Sequence, residues 1–175
     1  TIFKAGEDKI GTDEDAIYGA LSGISPLGIA AVKAHYFETH GHTLDWALND
    51  EMSGDELRRA ENLLKGDKGA AAAEAIHDAV WGPGTNEKQI MDALRGLTED
   101  ERKRAIAYYK DQYDQDLSTR LAEDMSGADL GQAQALLEGK EGEADAIAID
   151  GGLRGHVFSP DRDSVTAVYD RVQQE

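Results

Sequence analysis

Two glycine–threonine loops, each followed at a fixed distance by an acidic residue, are the groups in this chain best suited to holding a metal ion. The first reads Gly11-Thr12 and then, 39 residues past the threonine, Glu51-Met52-Ser53-Gly54. The second reads Gly82-Pro83-Gly84-Thr85 and then, at the same spacing, Asp124-Met125-Ser126-Gly127. Glycine tolerates positive φ, so such a loop can fold its backbone carbonyls around one point. Carbonyls alone leave an ion's charge uncompensated, and a distant carboxylate supplies it. That donor set suits a hard cation, Ca²⁺ above the smaller and stricter Mg²⁺.

Other chemistries lack their patterns. His35, His40 and His42 stand in HYFETHGH, which is not the HExxH arrangement. They are better read as groups favoured at a helix C-terminus than as zinc ligands. His77 and His156 are isolated. Neither GPGTNEK nor GKEGEA is a phosphate-binding P-loop, and no nucleophile motif is present. No enzyme activity is expected. The chain has no cysteine, hence no disulfide framework.

The spacing between the loops reflects a duplication. An offset of 73 residues pairs Gly11 with Gly84, Thr12 with Thr85, Ile17 with Ile90 and Leu21 with Leu94. It also pairs Tyr36 with Tyr109, Leu44 with Leu117, Leu48 with Leu121 and Met52-Ser53-Gly54 with Met125-Ser126-Gly127. These matches are mostly apolar at helical spacing. An all-α fold is expected. In the first copy the pattern predicts helices over about 13–22, 26–40, 43–51 and 54–64. In the second it predicts about 70–80, 86–95, 99–113, 116–124 and 127–137.

Capping-box spacing marks Thr12 with Asp15, Ser53 with Glu56, Thr98 with Glu101 and Ser126 with Asp129 as helix starts. Ser25-Pro26 adds another, and Gly23 and Gly96 read as stops. Trp46 falls on the apolar face of its helix and is expected in the core. Arg102 and Arg104 are expected to pair with Asp100, Glu101 and nearby acids. Residues 139–145 read as a flexible linker, and 146–175 as a helix, a loop at 151–160 and another helix.

The stretches WGPGTNEKQIMDAL and LTEDERKRAIAYYKDQYDQDLSTRLAEDMSG resemble an annexin repeat, as do KIGTDEDAIYGAL and LDWALNDEMSG of the first copy. The resemblance implies repeats of about five helices, lettered A to E. It divides the chain into a first repeat at 1–66 with helix A truncated, a second at 69–139, and a linker with a partial, degenerate third at 140–175. It implies loop ligands at the carbonyls one, three and five residues before the threonine. In the second copy these are Gly84, Gly82 and Val80, with Asp124 as the acidic partner. In the first they are Gly11, Lys9 and Glu7, with Glu51. Lys9 stands where the second copy has a glycine, so the second copy is ranked the stronger site. The threonine is expected to cap helix B with its side chain. Secondary sites would use Thr12 with Glu14 and Thr85 with Glu87. Either glutamate could instead simply favour the positive end of its helix. At the loop tips, Ile10, Trp81 and Pro83 are the lipid-contact candidates. Trp81 could equally pack on its own helix.

There are 18 basic and 35 acidic residues, a formal charge of −17. Such a surface repels nucleic acid and anionic membranes alike, so contact with acidic lipid needs a bridging cation. The resemblance thus implies a peripheral protein, soluble and cytoplasmic, that binds anionic phospholipid reversibly through Ca²⁺. The alternative is a calcium-independent helical docking or structural module. The chain opens mid-pattern at Thr1, as a piece of a longer protein would. Other domains of that parent, or self-association, complete the expected partners.

Overall fold

Apolar residues recurring every three to four positions give helices that are stable only when packed together. The computed structural model describes residues 12–154, and every regular element among them is an α-helix. In order they are α1 (Glu14–Ser22), α2 (Pro26–His40), α3 (Leu44–Glu51), α4 (Gly54–Leu64), α5 (Lys68–Val80), α6 (Glu87–Leu94), α7 (Glu99–Tyr113), α8 (Leu117–Asp124), α9 (Gly127–Leu137) and α10 (Glu141–Arg154).

The buried residues fall into two clusters. One gathers Ile17 and Leu21 of α1, Ile29, Leu44 and Leu48, Met52, and Ala60, Leu63 and Leu64 of α4. The other gathers Ile90 and Leu94 of α6, Tyr109, Leu117 and Leu121, Met125, and Ala133, Leu136 and Leu137 of α9. Most of these positions are buried alike at the 73-residue offset, the exceptions being Ile29 against Arg102 and Tyr109 against the partly buried Tyr36. Helix α5 joins the clusters. Its run Gly69–Ile76 is buried throughout, because α4 packs on one side of it and α7 on the other. Alanine and glycine permit that close approach. A Cβ on Gly69 would stand 2.4 Å from the Glu101 carbonyl oxygen.

Local signals succeed where only side chain and helix matter. Ser25 accepts from the Gly28 amide ahead of Pro26. Thr98 and Glu101 form a full capping box. The Thr98 amide and hydroxyl, both donating to the Glu101 carboxylate, hold it below its usual range, the backbone bond first. Gly96 takes a left-handed φ of 71° just past α6.

Several expectations are corrected. Asp13, not Thr12, caps α1 by accepting from the Ala16 amide. Ser53 and Ser126 precede their helices but make no side-chain cap bond. Gly54 and Gly127 follow them with φ of 57° and 61°. A left-handed residue at that point alters the path by which a hydroxyl reaches the third amide. Trp46 is 55% exposed and lies against the His42 ring. Its helix turns Leu44 and Leu48 inward, and a residue midway between them points elsewhere. The basic cluster does meet nearby acids, but other ones than Asp100 and Glu101. Arg102 donates to the Leu97 carbonyl, Lys103 pairs with Glu99, and Arg104 reaches Asp67 at 2.7 Å.

The expected linker is helical from Glu141, and the helix continues through Arg154, into the expected loop at 151–160. Ala144 is fully buried, Arg95 pairs with Asp145 at 2.8 Å, and the Gly96 amide donates to Glu141. Those ties anchor α10 to the end of α6, while its apolar side packs on α9. The expectations for Glu7, Lys9, Ile10, Gly11 and 155–175 lie outside the described residues.

Candidate cation site at loop and corner

Helix α5 ends at Val80, and the last carbonyls of any helix lack intrahelical partners and carry partial negative charge. The chain then turns through Trp81–Gly84. Gly82 and Gly84 have φ of 109° and 98°, values that strain any residue with a side chain. The Asn86 amide donates to the Ala79 carbonyl at 2.9 Å and closes the turn. Asn86 caps α6 by accepting from the Gln89 amide. Thr85 is left for a different task. Its hydroxyl donates to the Asp124 carbonyl at 3.2 Å, tying the loop to the corner between α8 and α9. The expected threonine cap is therefore a long-range clasp.

The first copy repeats the clasp. The Thr12 hydroxyl donates to the Glu51 carbonyl at 3.4 Å and to its Oε2 at 3.2 Å. Beneath each corner lies the paired tyrosine. Burial raises the Tyr36 phenol, and the Glu51 charge adds to it. Burial pushes Tyr109 to about 12, with Arg120 pulling down and Asp124 pushing up.

The copies differ at one residue that the sequence reading passed over. Arg120, on α8, contacts both parts of the second site. Its Nη2 donates to the Val80 carbonyl at 2.8 Å. Its Nε lies 2.5 Å from Asp124 Oδ2. That second contact is close but poorly aligned, and neither atom has an aligned hydrogen bond. Charge, more than direction, holds it. Both side chains are about three-quarters buried, so water screens the pair less than a surface one. Alanine, Ala47, holds the equivalent position in the first copy. The available signal was the four-residue step from Arg120 to Asp124, which brings two side chains together on a helix.

The remaining named residues stand as follows. Glu14 and Glu87 occupy the first turns of α1 and α6, where the helix dipole favours them. Pro83 is exposed. Trp81 is 73% exposed, and its ring stacks on His77 with centroids 5.4 Å apart. His77 in turn stacks on Tyr113 at 3.7 Å and meets Asp55 Oδ2 at 2.5 Å. So Trp81 packs on its own helix and still presents a face to solvent. His40 and His42 lie among aromatic rings, against Tyr36 and Trp46. No group of three His, Cys, Asp or Glu side chains among the described residues could hold a metal. A site here must draw on backbone oxygens.

The family model for annexins matches residues 1–60 and 71–129. The chain belongs to the annexin family. Chicken annexin A6 is 31% identical over 140 residues, which is 80% of this chain and 21% of that protein. Annexin B22 of Schistosoma mansoni is 33% identical over 128 residues, 72% of this chain and 35% of that one. Among solved structures, an annexin A8 is 27% identical, with 78% of this chain and 42% of that one covered and a TM-score of 0.45. The chain thus spans well under half the length of these annexins. It is an annexin built of helical repeats, and the backbone carbonyls after α5 and the Asp124 carboxylate are hard oxygen donors, the class that calcium takes. The fit carries one condition: the Val80 carbonyl and Asp124 must be yielded by Arg120.

Proposed function

We propose that this chain binds acidic phospholipid surfaces reversibly through calcium held at its loops and corners. In the second repeat, taken as 69–139, the carbonyls of Val80, Gly82 and Gly84 and the Asp124 carboxylate would hold the ion. In the first, taken as 1–66, those of Glu7, Lys9 and Gly11 with Glu51 would do so. Bound calcium supplies the positive charge and the open coordination positions that a lipid phosphate oxygen needs. Thr12 with Glu14 and Thr85 with Glu87 are the weaker, secondary donors. Ile10, Trp81 and Pro83 are the contacts to the lipid interface, Trp81 by the exposed face of its stacked ring.

One observation carries the reading: a single positive group already touches both the loop carbonyl and the far carboxylate of the second repeat. Donors from the ends of α5 and α8, Val80 and Asp124, lie within reach of one cationic side chain. The charge of −17 makes the bridging ion necessary, since the bare surface repels anionic lipid. Two weak sites on one body strengthen each other through effective concentration. The chain itself performs no chemistry on the lipid.

The second reading, a calcium-independent docking module, is favoured by the same arginine, which satisfies those donors without metal. Calorimetric calcium titration, followed by co-sedimentation with phosphatidylserine vesicles with and without chelator, separates the two. Saturable heat and chelator-reversible sedimentation support calcium bridging. Calcium-indifferent behaviour in both supports the docking module.

A further inference from the structure

We infer that Arg120 is a built-in counter-cation of the second repeat, holding its loop and corner closed without metal and setting how tightly calcium binds there. This rests on the reading of that loop and corner as a calcium site.

The guanidinium does three things a bound cation would do. It neutralises the Asp124 carboxylate, it satisfies the orphan carbonyl at the end of α5, and it links the two elements that carry them. Arginine suits the task, because its guanidinium donates to the Val80 carbonyl from one nitrogen while setting a charge it never loses against Asp124. A calcium ion on Val80 O and Asp124 would set a second positive charge against the guanidinium that already holds those groups, so the ion binds in competition with the contacts to Arg120. With Ala47 in the matching place, helix α3 of the first repeat carries no basic residue that could act in this way. There the Glu51 carboxylate is met by the neutral Thr12 hydroxyl. The two repeats are therefore tuned differently by one residue outside the ligand set. The second is closed at low calcium, and its threshold lies above that of the same site without the arginine.

The test uses the full 175-residue chain in a Glu51→Ala background, so that titration heat reports the second site. Arg120→Ala is expected to tighten calcium binding about tenfold or more, the factor that about 1.4 kcal/mol produces. Arg120→Lys, which keeps the charge but cannot bridge as a fork, falls between. A second readout needs no bound metal. In chelator, Arg120→Ala melts below its parent, because Val80 O and Asp124 lose their partner, and saturating calcium narrows the gap. Unchanged or weaker calcium affinity in Arg120→Ala overturns the inference, as does an unchanged melting temperature in chelator. If no Glu51→Ala protein binds calcium while the unmutated chain does, the inference falls and calcium bridging survives through the first repeat. If the unmutated chain binds none either, both fall.

Discussion

Glu74 is a charged residue with no exposure at all, on a helix otherwise lined with alanine. Its carboxylate accepts from the Tyr108 and Tyr113 hydroxyls, both at 2.6 Å, and from Arg58 Nε at 3.0 Å. Arg58 belongs to α4 and the tyrosines to α7, so this one group joins the two halves of the described fold. Replacing Glu74 with alanine removes three bonds and leaves partners without an acceptor. Breaking a buried charge pair costs about 3–5 kcal/mol. The charged partner has relief, since Arg58 is a third exposed and keeps Asp55, whereas the Tyr108 and Tyr113 hydroxyls lose their acceptor, the Asn62 amide being a donor to Tyr108. The lower end therefore applies, about 3 kcal/mol. Glu74→Gln retains the shape and an acceptor and should cost about half of that, on the scale of hydrogen bonds to charged groups. Urea unfolding followed by far-UV circular dichroism measures both through the midpoint, the slope staying constant if the folded and unfolded states are otherwise alike. Burial and Glu74 together raise the Tyr108 and Tyr113 phenols. Ultraviolet titration of Glu74→Gln should therefore show phenolate forming at lower pH than in the parent. A loss below about 1 kcal/mol in Glu74→Ala would refute the reasoning, for the buried network would then contribute no more than one ordinary neutral bond.

Four shorter predictions follow. Asp124→Ala should weaken calcium-dependent sedimentation more than Glu51→Ala, provided Arg120 yields its contacts; an equal or smaller loss in a vesicle pelleting assay would refute the ranking of the repeats. Gly84→Ala should destabilise the loop by about 1 kcal/mol, the strain of a side chain at its φ of 98°, read as a lower melting temperature. Thr98→Ala should cost about 1 kcal/mol at neutral pH. Because the Glu101 carboxyl is lowered in the folded state, its share of that stability is present above the ordinary carboxylate value of about 4.3. It is lost as pH falls through the lowered one, so parent and variant should converge in acid denaturation. Trp81→Ala should leave calcium titration unchanged but reduce vesicle retention, and brominated-lipid quenching of Trp81 checks the contact.

Much of the architecture was legible because a duplicated apolar pattern reports which face of each helix is buried. Ile17 and Ile90, or Leu48 and Leu121, satisfy one packing rule twice. Thr98 and Glu101 were readable for a related reason, since a capping box is decided within four residues. Ser53 and Ser126 show the limit. Their spacing matches the box, but the left-handed glycine after each changes the geometry, and φ is not written in the spacing. The middle of α10 was expected as a helix, but its start and its run past residue 150 were hidden by glycines and acids, whose linker-like composition masks the step from Ala144 to Ile147 that packs on α9. Trp46 was placed inside by assigning it to the apolar face of its helix, although Leu44 and Leu48 fix the inward face and a residue two positions from each points away from it. At the site, sequence named the donors but not their partners. Arg120 was missed because the motif directs attention to carbonyls and an acid, whereas its effect depends on where α5 ends relative to α8.

A crystal of the chain grown with saturating calcium, examined at the bend after Val80, is the sharpest check on lipid bridging through this loop. An ion about 2.3–2.6 Å from the oxygens of Val80, Gly82, Gly84 and Asp124, with Arg120 turned aside, is the expected result. Arg120 still spanning Val80 and Asp124, with no ion at the bend, would contradict it.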